Sequence, residues 1–430
     1  MSVTAVVGLQ WGDEAKGKIA DLLSENADIV ARFNGGDNAG HTVVNEFGTF
    51  KLRLTPNGIS NPKTTCIIGP GVVVNLATIL DEIAYISASG LDIKDRLWIS
   101  PRCHVVMPYH PLIEAVYERA KGAGQIGTTG RGIGPVYADK VSYNGIRLFD
   151  LADAAVLAEK LKIQLAVKNP FLQAFGFEPL DLQAILEEKL DQFARLCEMV
   201  REPFGLIQEA LQKQAQLVLE GAQAALLDND WGTYPFCTAS TTLAGGAADG
   251  LGIAPRWITK VLGVAKAYTS RVGRGPMPTE LLDKTGEAIR REGQEYGTVT
   301  GRPRRCGWFD AELVRFSAQL NGVTEIALMK LDVLDTLPAL KICTGYRAPG
   351  QDQTEGRLAH YWEGDARWLG ECEPVYMEME GWMQPTRGIR DFSRLPSQAQ
   401  AYVHQIEMLV GAPIKLISVG PGRDEDIWIP

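Results

Sequence analysis

An apolar, β-branched run at residues 3–9 leads directly into a loop carrying Gly12, Gly17 and Lys18, and this junction constrains the chain more than any other feature. Such a run reads as a buried strand of a parallel sheet, and Gly-x-x-x-x-Gly-Lys is the spacing at which backbone N–H groups cradle phosphates. A strand feeding a phosphate loop, which in turn feeds a helix, commits the chain to an α/β architecture. The residue after Lys18 is Ile19, where a Ser or Thr normally holds a magnesium ion. Asp13, inside the loop, is the substitute ligand, because a hard cation takes a carboxylate together with phosphate oxygens and water. Without such a cation the carboxylate would repel the nucleotide, so Asp13 points to chemistry beyond nucleotide holding. The plainer alternative is a glycine-rich strand-to-helix turn with a capping acid.

The chain is long enough, at 430 residues, to bury a large core. Its formal charge of −9 disfavours nucleic-acid or anionic-membrane partners, so phosphate affinity must come from local Arg, Lys and backbone N–H groups. The seven cysteines include no C-x-x-C pair, which fits free thiols in a reducing compartment. The first apolar run lacks a preceding basic region and no stretch approaches a transmembrane span, so a cytoplasmic protein is expected.

Patterning predicts one large domain over 1–430, a central, mostly parallel twisted sheet flanked by helices. Strands are expected at 28–33, 65–69, 97–100, 217–220 and 325–329, with a final one at 414–419. Helices are expected at 19–24, 76–87 and 109–121. The glycine-poor stretch at about 151–216 reads as a helical excursion, with helices at 154–165 and 182–199 and a loop at 169–179. Residues 257–268 read as a helix or a strand–helix pair. Residues 354–386 are acidic and Trp-rich and suggest no chemistry.

Between these elements lie the candidate ligand loops. GGDNAGHT at 35–42 brings glycines, Asn38 and Gly40 together with His41 at its rim, a nest for an anion with a proton donor beside it. GQIGTTGRGIGP at 124–135 reads as a second anion cradle with Thr128 and Thr129 as hydroxyl donors. Gln223 follows a strand end, where ligands of open α/β sheets bind. TVTGRPRRCGW at 298–308 places Arg302, Arg304 and Arg305 within four residues as a clamp for carboxylates or phosphates. Lys330-Leu331-Asp332, after a strand, can read guanine, with the carboxylate accepting from N1–H and the 2-amino group. Ser418 and Gly420 form a glycine turn after the last expected strand.

WGDEAKGK, GGDNAGHT, GTTGRGIGP, EGAQ, TGRPRRCGW, MKLDVLD and SVGPGR, in this order over nearly the full length, resemble the adenylosuccinate synthetase family. The resemblance implies a homodimeric, magnesium-dependent carbon–nitrogen ligase joining L-aspartate to C6 of IMP, with GTP cleaved to GDP and phosphate. It implies Asp13 as base and, with Gly40, as metal ligand. It implies His41, Lys16 and Gln223 as further catalytic residues. Gly12, Gly17, Lys18, Gly40, His41, Thr42, Arg304, Lys330, Asp332, Ser418 and Gly420 would bind GTP. Asp13, Asn38, Thr129, Gln223, Thr238 and Arg302 would hold the purine nucleotide, and Thr298, Val299, Thr300, Gly301, Arg302 and Arg304 the aspartate.

The chain departs from the family pattern at Ala15, Tyr143, Ala224, Ala225 and Trp231, and Asp37 and Arg274 are unusual choices. Where Tyr143 stands, the family usually has an arginine that reaches the neighbouring subunit's purine-nucleotide phosphate, a duty that Arg131, Arg147 or another residue would have to cover. The departures keep open a paralogue acting on dGMP, dIMP or a purine analogue. A non-catalytic nucleotide switch is the alternative of another class, and it would need neither the arginine clamp nor His41 beside Asp13.

Overall fold

A computed structural model describes residues 2–45, 47–297, 301–348 and 364–429. Its centre is a nine-stranded sheet built from β1 (Ser2–Gly8), β2 (Ile29–Arg32), β3 (Thr65–Ile68), β4 (Leu97–Ile99), β5 (Gln216–Glu220), β6 (Lys260–Lys266), β7 (Glu325–Met329), β8 (Ile414–Ser418) and β9 (Asp426–Trp428). The spatial order is β9-β8-β7-β6-β1-β5-β2-β3-β4. All neighbours are parallel except β9, which runs antiparallel to β8 at the edge.

The apolar run at the amino end thus lies near the middle of the sheet, paired with β6 on one side and β5 on the other. Strands covered on both faces need side chains for both, which is why β1 is apolar at consecutive positions instead of alternating. Val3, Ala5 and Val7 pack into one core with helices Phe204–Gln212, Ala311–Asn321 and Ser397–Val410, whereas Val6 enters the opposite core with helices Leu76–Ala88 and Tyr109–Lys121. The loops after β1, β2, β5, β6 and β7 all emerge at the carboxyl edge of the sheet, so the topology itself gathers the sequence motifs.

Three expectations about elements are corrected. The helix Ala154–Ala174 continues through Pro170 into the region read as a loop, since the bulk of that helix is anchored by Leu157, Leu161, Leu165 and Leu172. Residues 260–266 form a central strand, the short apolar run being ambiguous by periodicity alone. The strand at 414–418 is not the last; β9 follows it and closes the edge.

Candidate functional site

The phosphate loop, 9–15, is held in an unusual backbone conformation. Gly12 (φ 88°), Asp13 (φ 60°) and Ala15 (φ 68°) all have positive φ. For Ala15 this left-handed geometry costs about 1 kcal/mol or more relative to glycine. Glu14, fully buried, fixes the turn by accepting from the Gly12 N–H (2.8 Å) and pairing with Lys16 Nζ at 2.6 Å. The helix Lys16–Ser24 then starts at the loop. Gly17 is required by packing: a Cβ there would meet the Cβ of His41 at 2.8 Å.

His41 opens the strand His41–Asn45, and its Nδ1 lies 2.6 Å from Asn57 Nδ2 and 3.3 Å from Glu220 Oε1. Glu220, at the end of β5, accepts from both the backbone and the amide of Asn57, so a carboxylate orients the amide and the amide orients the imidazole. With Nδ1 engaged by Asn57 and Glu220, Nε2 is the ring nitrogen left for an oxygen in the cavity, and in the tautomer where Asn57 donates to Nδ1 it carries the proton.

Asp13, Lys16, Asn38, Gly40, His41, Thr129, Gln223, Thr238 and Arg304 line one cavity of about 890 Å³. Gln223 (φ 61°) donates to Asn38 Oδ1 at 3.2 Å, and Asn38 Nδ2 reaches Thr238 Oγ1 at 3.4 Å. The Gln223 Oε1 atom is buried and has no partner. A buried amide oxygen without a donor marks where a ligand N–H belongs.

Behind the loop stands a buried charge cluster that the sequence reading missed. Glu295, fully buried, contacts Lys266 Nζ at 2.9 Å, Lys330 Nζ at 2.8 Å and Arg304 Nη1 at 2.9 Å, and Tyr268 also donates to it. Burial alone would raise its carboxyl, but Lys266, Lys330 and Arg304 together hold it well below the usual carboxylate range. Arg304 Nε also lies 2.9 Å from Asp13 Oδ2. No local motif marks Glu295, one of three acids in the segment 287–295.

Several of the expected site residues also make contacts within the fold. Lys18 does not line the cavity; its Nζ bonds Ser418 Oγ (2.7 Å), Gly420 O (2.8 Å) and Asp426 Oδ1 (2.7 Å), so Lys18, Ser418 and Gly420 pin the helix start to β8 and β9. The arginine clamp splits because neighbouring residues of an extended segment face opposite ways. Arg304 turns inward, while Arg305 pairs with Glu280 and donates to Gly275 O at 2.7 Å. Arg302 is exposed and does not line the cavity, and Gly301 (φ 64°) turns the chain before it. Thr298, Val299 and Thr300 lie outside the described residues. Lys330 (φ 61°) donates to Gly293 O and Glu295, and burial pushes the Asp332 carboxyl up. Thr42 is exposed beside Gly40 and His41.

In the loop at 124–135 part of the backbone is engaged within the fold. Glu118 accepts from the N–H groups of Ile126 (3.3 Å), Gly127 (2.9 Å) and Thr128 (3.4 Å), so these donors are already spent; what faces the cavity is Thr128 and Thr129. Arg131 leans toward Asp37 at 3.8 Å and Arg147 is exposed, and neither lines the cavity. Asp37 is a buried structural acceptor for Asn75 and Thr78.

The departures from the family pattern mostly lie off the cavity. Ala224 has extended backbone that any residue adopts, and with Ala225 it is fully buried. Trp231 and Tyr143 are exposed and line nothing in their own chain.

For magnesium, the described residues contain no cluster of three or more acidic, His or Cys side chains. One carboxylate, Asp13, beside the Gly40 backbone at a phosphate loop suits an ion that keeps waters and leans on substrate phosphates.

A sequence model for adenylosuccinate synthetase matches residues 5–427. A relative so named from Heliobacterium modesticaldum is 49% identical over 428 residues, covering 99% of both chains. Another from Dehalococcoides mccartyi is 46% identical over 429 residues and covers both chains completely. The fully ligated adenylosuccinate synthetase of Plasmodium falciparum superposes with a TM-score of 0.94 at 35% identity over all of both chains. The succinoaminodeoxyadenylate synthetase of cyanophage S-2L, solved with dGMP and with dATP as energy donor, gives a TM-score of 0.62 at 21% identity, covering 100% of this chain and 95% of its own, a likeness of fold alone.

Proposed function

The chain belongs to the adenylosuccinate synthetase family of carbon–nitrogen ligases, and from that premise we propose how its own residues carry GTP-dependent ligation of L-aspartate to IMP. The 6-oxygen of hypoxanthine is a poor leaving group, so it must be phosphorylated before an amine can displace it. Asp13 takes the N1 proton, and the electrons released make O6 the nucleophile toward the γ-phosphoryl group of GTP. His41, held by Asn57 and Glu220, donates from Nε2 to the oxygen on which charge develops. Lys16 and the backbone of the loop hold the phosphates, and a magnesium ion carried by Asp13 and Gly40 would neutralise phosphate charge when bound. The aspartate amine then attacks C6, and the 6-oxygen leaves within inorganic phosphate. Gln223 and Asn38 orient the base, Thr129 and Thr238 the remainder of the nucleotide, and Arg304 with the 298–302 segment the aspartate carboxylates. Lys330, Asp332, Ser418 and Gly420 frame the guanine side.

The observation that carries this reading is the convergence of Asp13, His41, Asn38 and Gln223 on one cavity, with the Gln223 Oε1 unpartnered. The placement of Ala224, Ala225 and Trp231 outside that cavity supports IMP over another purine nucleotide. The reading extends to a homodimer in the cytoplasm, with no nucleic-acid or membrane partner. The net charge of −9 disfavours nucleic acid and anionic membranes, and among the described residues no helix is long and apolar enough to cross a membrane; the homodimer rests on the family likeness. The test is phosphate release from GTP with aspartate and either IMP, dIMP or dGMP. Release with IMP is expected; silence with IMP alongside release with another nucleotide overturns the assignment.

A further inference from the structure

Where residues 271–274 line the cavity, its cations have no paired carboxylate among the described residues. Arg271 is 1% exposed, and no carboxylate among the described residues pairs with it. Its Nη2 donates to Thr233 Oγ1 (2.9 Å) and Phe236 O (3.1 Å), its Nη1 to Pro276 O, and its Nε is buried with no partner. Its guanidinium stacks over Trp11 at 5.0 Å. Burial, with Arg305 nearby, pulls its pKa down, so this charge is held at a cost.

Three residues on, Arg274 stands at the cavity rim. Its backbone N–H donates to Ile126 O (3.3 Å) and its Nη1 to Ala123 O (2.7 Å), which press the 272–275 turn against the loop carrying Gly127, Thr128 and Thr129. No carboxylate among the described residues pairs with Arg274 either. The acids on this side are spoken for: Glu118 holds the 126–128 amides and pairs with Lys121 at 3.1 Å, and Glu114 accepts from the Gly132 N–H. Glu118 takes the N–H groups of residues 126–128 and Glu114 that of Gly132, so much of the charge of an anion here falls to side chains. Arg131 and Arg147 do not line the cavity, and Tyr143 carries no charge.

We propose that Arg274, backed by Arg271, is the cationic anchor for the 5′-phosphate of the purine nucleotide, supplied by the same chain that supplies Asp13. The inference rests on the IMP reading above. A bound phosphate dianion balances both guanidiniums, with Thr129 and Thr238 adding hydroxyl donors. The site then needs no arginine from a neighbouring subunit for this contact.

The test uses the full-length enzyme and its Arg274→Ala and Arg274→Lys variants. Arg274 is exposed, so both should fold, and an unchanged KM for GTP checks this. Arg274→Ala is expected to raise the KM for IMP roughly ten- to hundredfold, the range of a charge-assisted contact, with kcat nearly unchanged. Arg274→Lys should recover much of the loss, and binding of inosine, which lacks the phosphate, should not change. An unaltered KM for IMP, or equal losses for IMP and inosine, overturns the proposal. Mixing Arg274→Ala subunits with inactive Asp13→Asn subunits should restore nothing; recovery of the wild-type KM would place the contact between subunits and overturn it. A wild type silent with IMP removes the function reading instead, whereas a wild type active on IMP with Arg274→Ala indistinguishable from it removes this inference alone.

Discussion

The two ends of the cavity hold charge in opposite ways. At the phosphate loop and behind it each of these cations has an acid: Lys16 has Glu14, Lys18 has Asp426, and Lys266, Lys330 and Arg304 share Glu295. On the other side Arg271, stacked on Trp11, and Arg274 have none among the described residues. The paired end is set before substrate arrives, so its dipoles do not reorganise during the reaction. The unpaired end is completed by the ligand, which makes it a binding device and not a chemical one. Where a folded protein leaves a buried cation unbalanced, its ligand is the natural counter-ion.

Substitutions should separate the two ends. Asp13→Asn is expected to lower kcat by about 10²–10⁴-fold, the range for a lost general base, with an unchanged melting temperature; retention of most activity would take the base away from Asp13. Glu295→Gln leaves Lys266 and its neighbours without a buried counter-charge and should cost about 3–5 kcal/mol of stability, read by denaturant unfolding. A neutral result would mean the paired end is not held by this cluster.

Asp310 sharpens the contrast, because it is as buried as Glu295 but has a phenol in place of cations. Burial pushes its carboxyl up to about 7, although Tyr346 donates to it at 2.6 Å. A carboxyl raised in the folded state stabilises fully below its ordinary value near 3.8, and this contribution is lost as pH climbs through about 7. Glu295 has the opposite sign: its contribution is present above its unfolded value and is lost as pH falls. Asp310→Asn, which keeps an acceptor for the Leu313 N–H, should therefore flatten the decline in melting temperature between pH 4 and 7; an unchanged decline would contradict the assignment. The smallest effect is expected at Ala15. Glycine relieves about 1 kcal/mol of left-handed strain but adds unfolded-chain entropy of similar size, so Ala15→Gly should shift stability by only about 0.5 kcal/mol or less.

What was legible in the sequence was local. The strand at 2–8, the loop with Asp13 and the delivery of His41 follow from short-range patterns, because a buried parallel strand and a glycine loop each leave their own mark. Partners across the fold left none. Glu295 reaches Lys266 and Lys330, and Glu220 reaches Asn57 and His41, through sheet topology and not spacing. The same blindness made Arg304 and Arg305 look like one clamp, although alternation sends them to opposite sides. Nor did spacing show that the Lys18 side chain bonds Ser418 and Asp426 of β8 and β9. Arg274 stood out only as an unusual choice until the fold set it against the 122–127 loop.

The central claim is that O6 of the purine is phosphorylated before aspartate displaces it. With IMP carrying ¹⁸O at C6, the released inorganic phosphate should contain the label. Unlabelled phosphate, with the ¹⁸O appearing in water, would contradict the account.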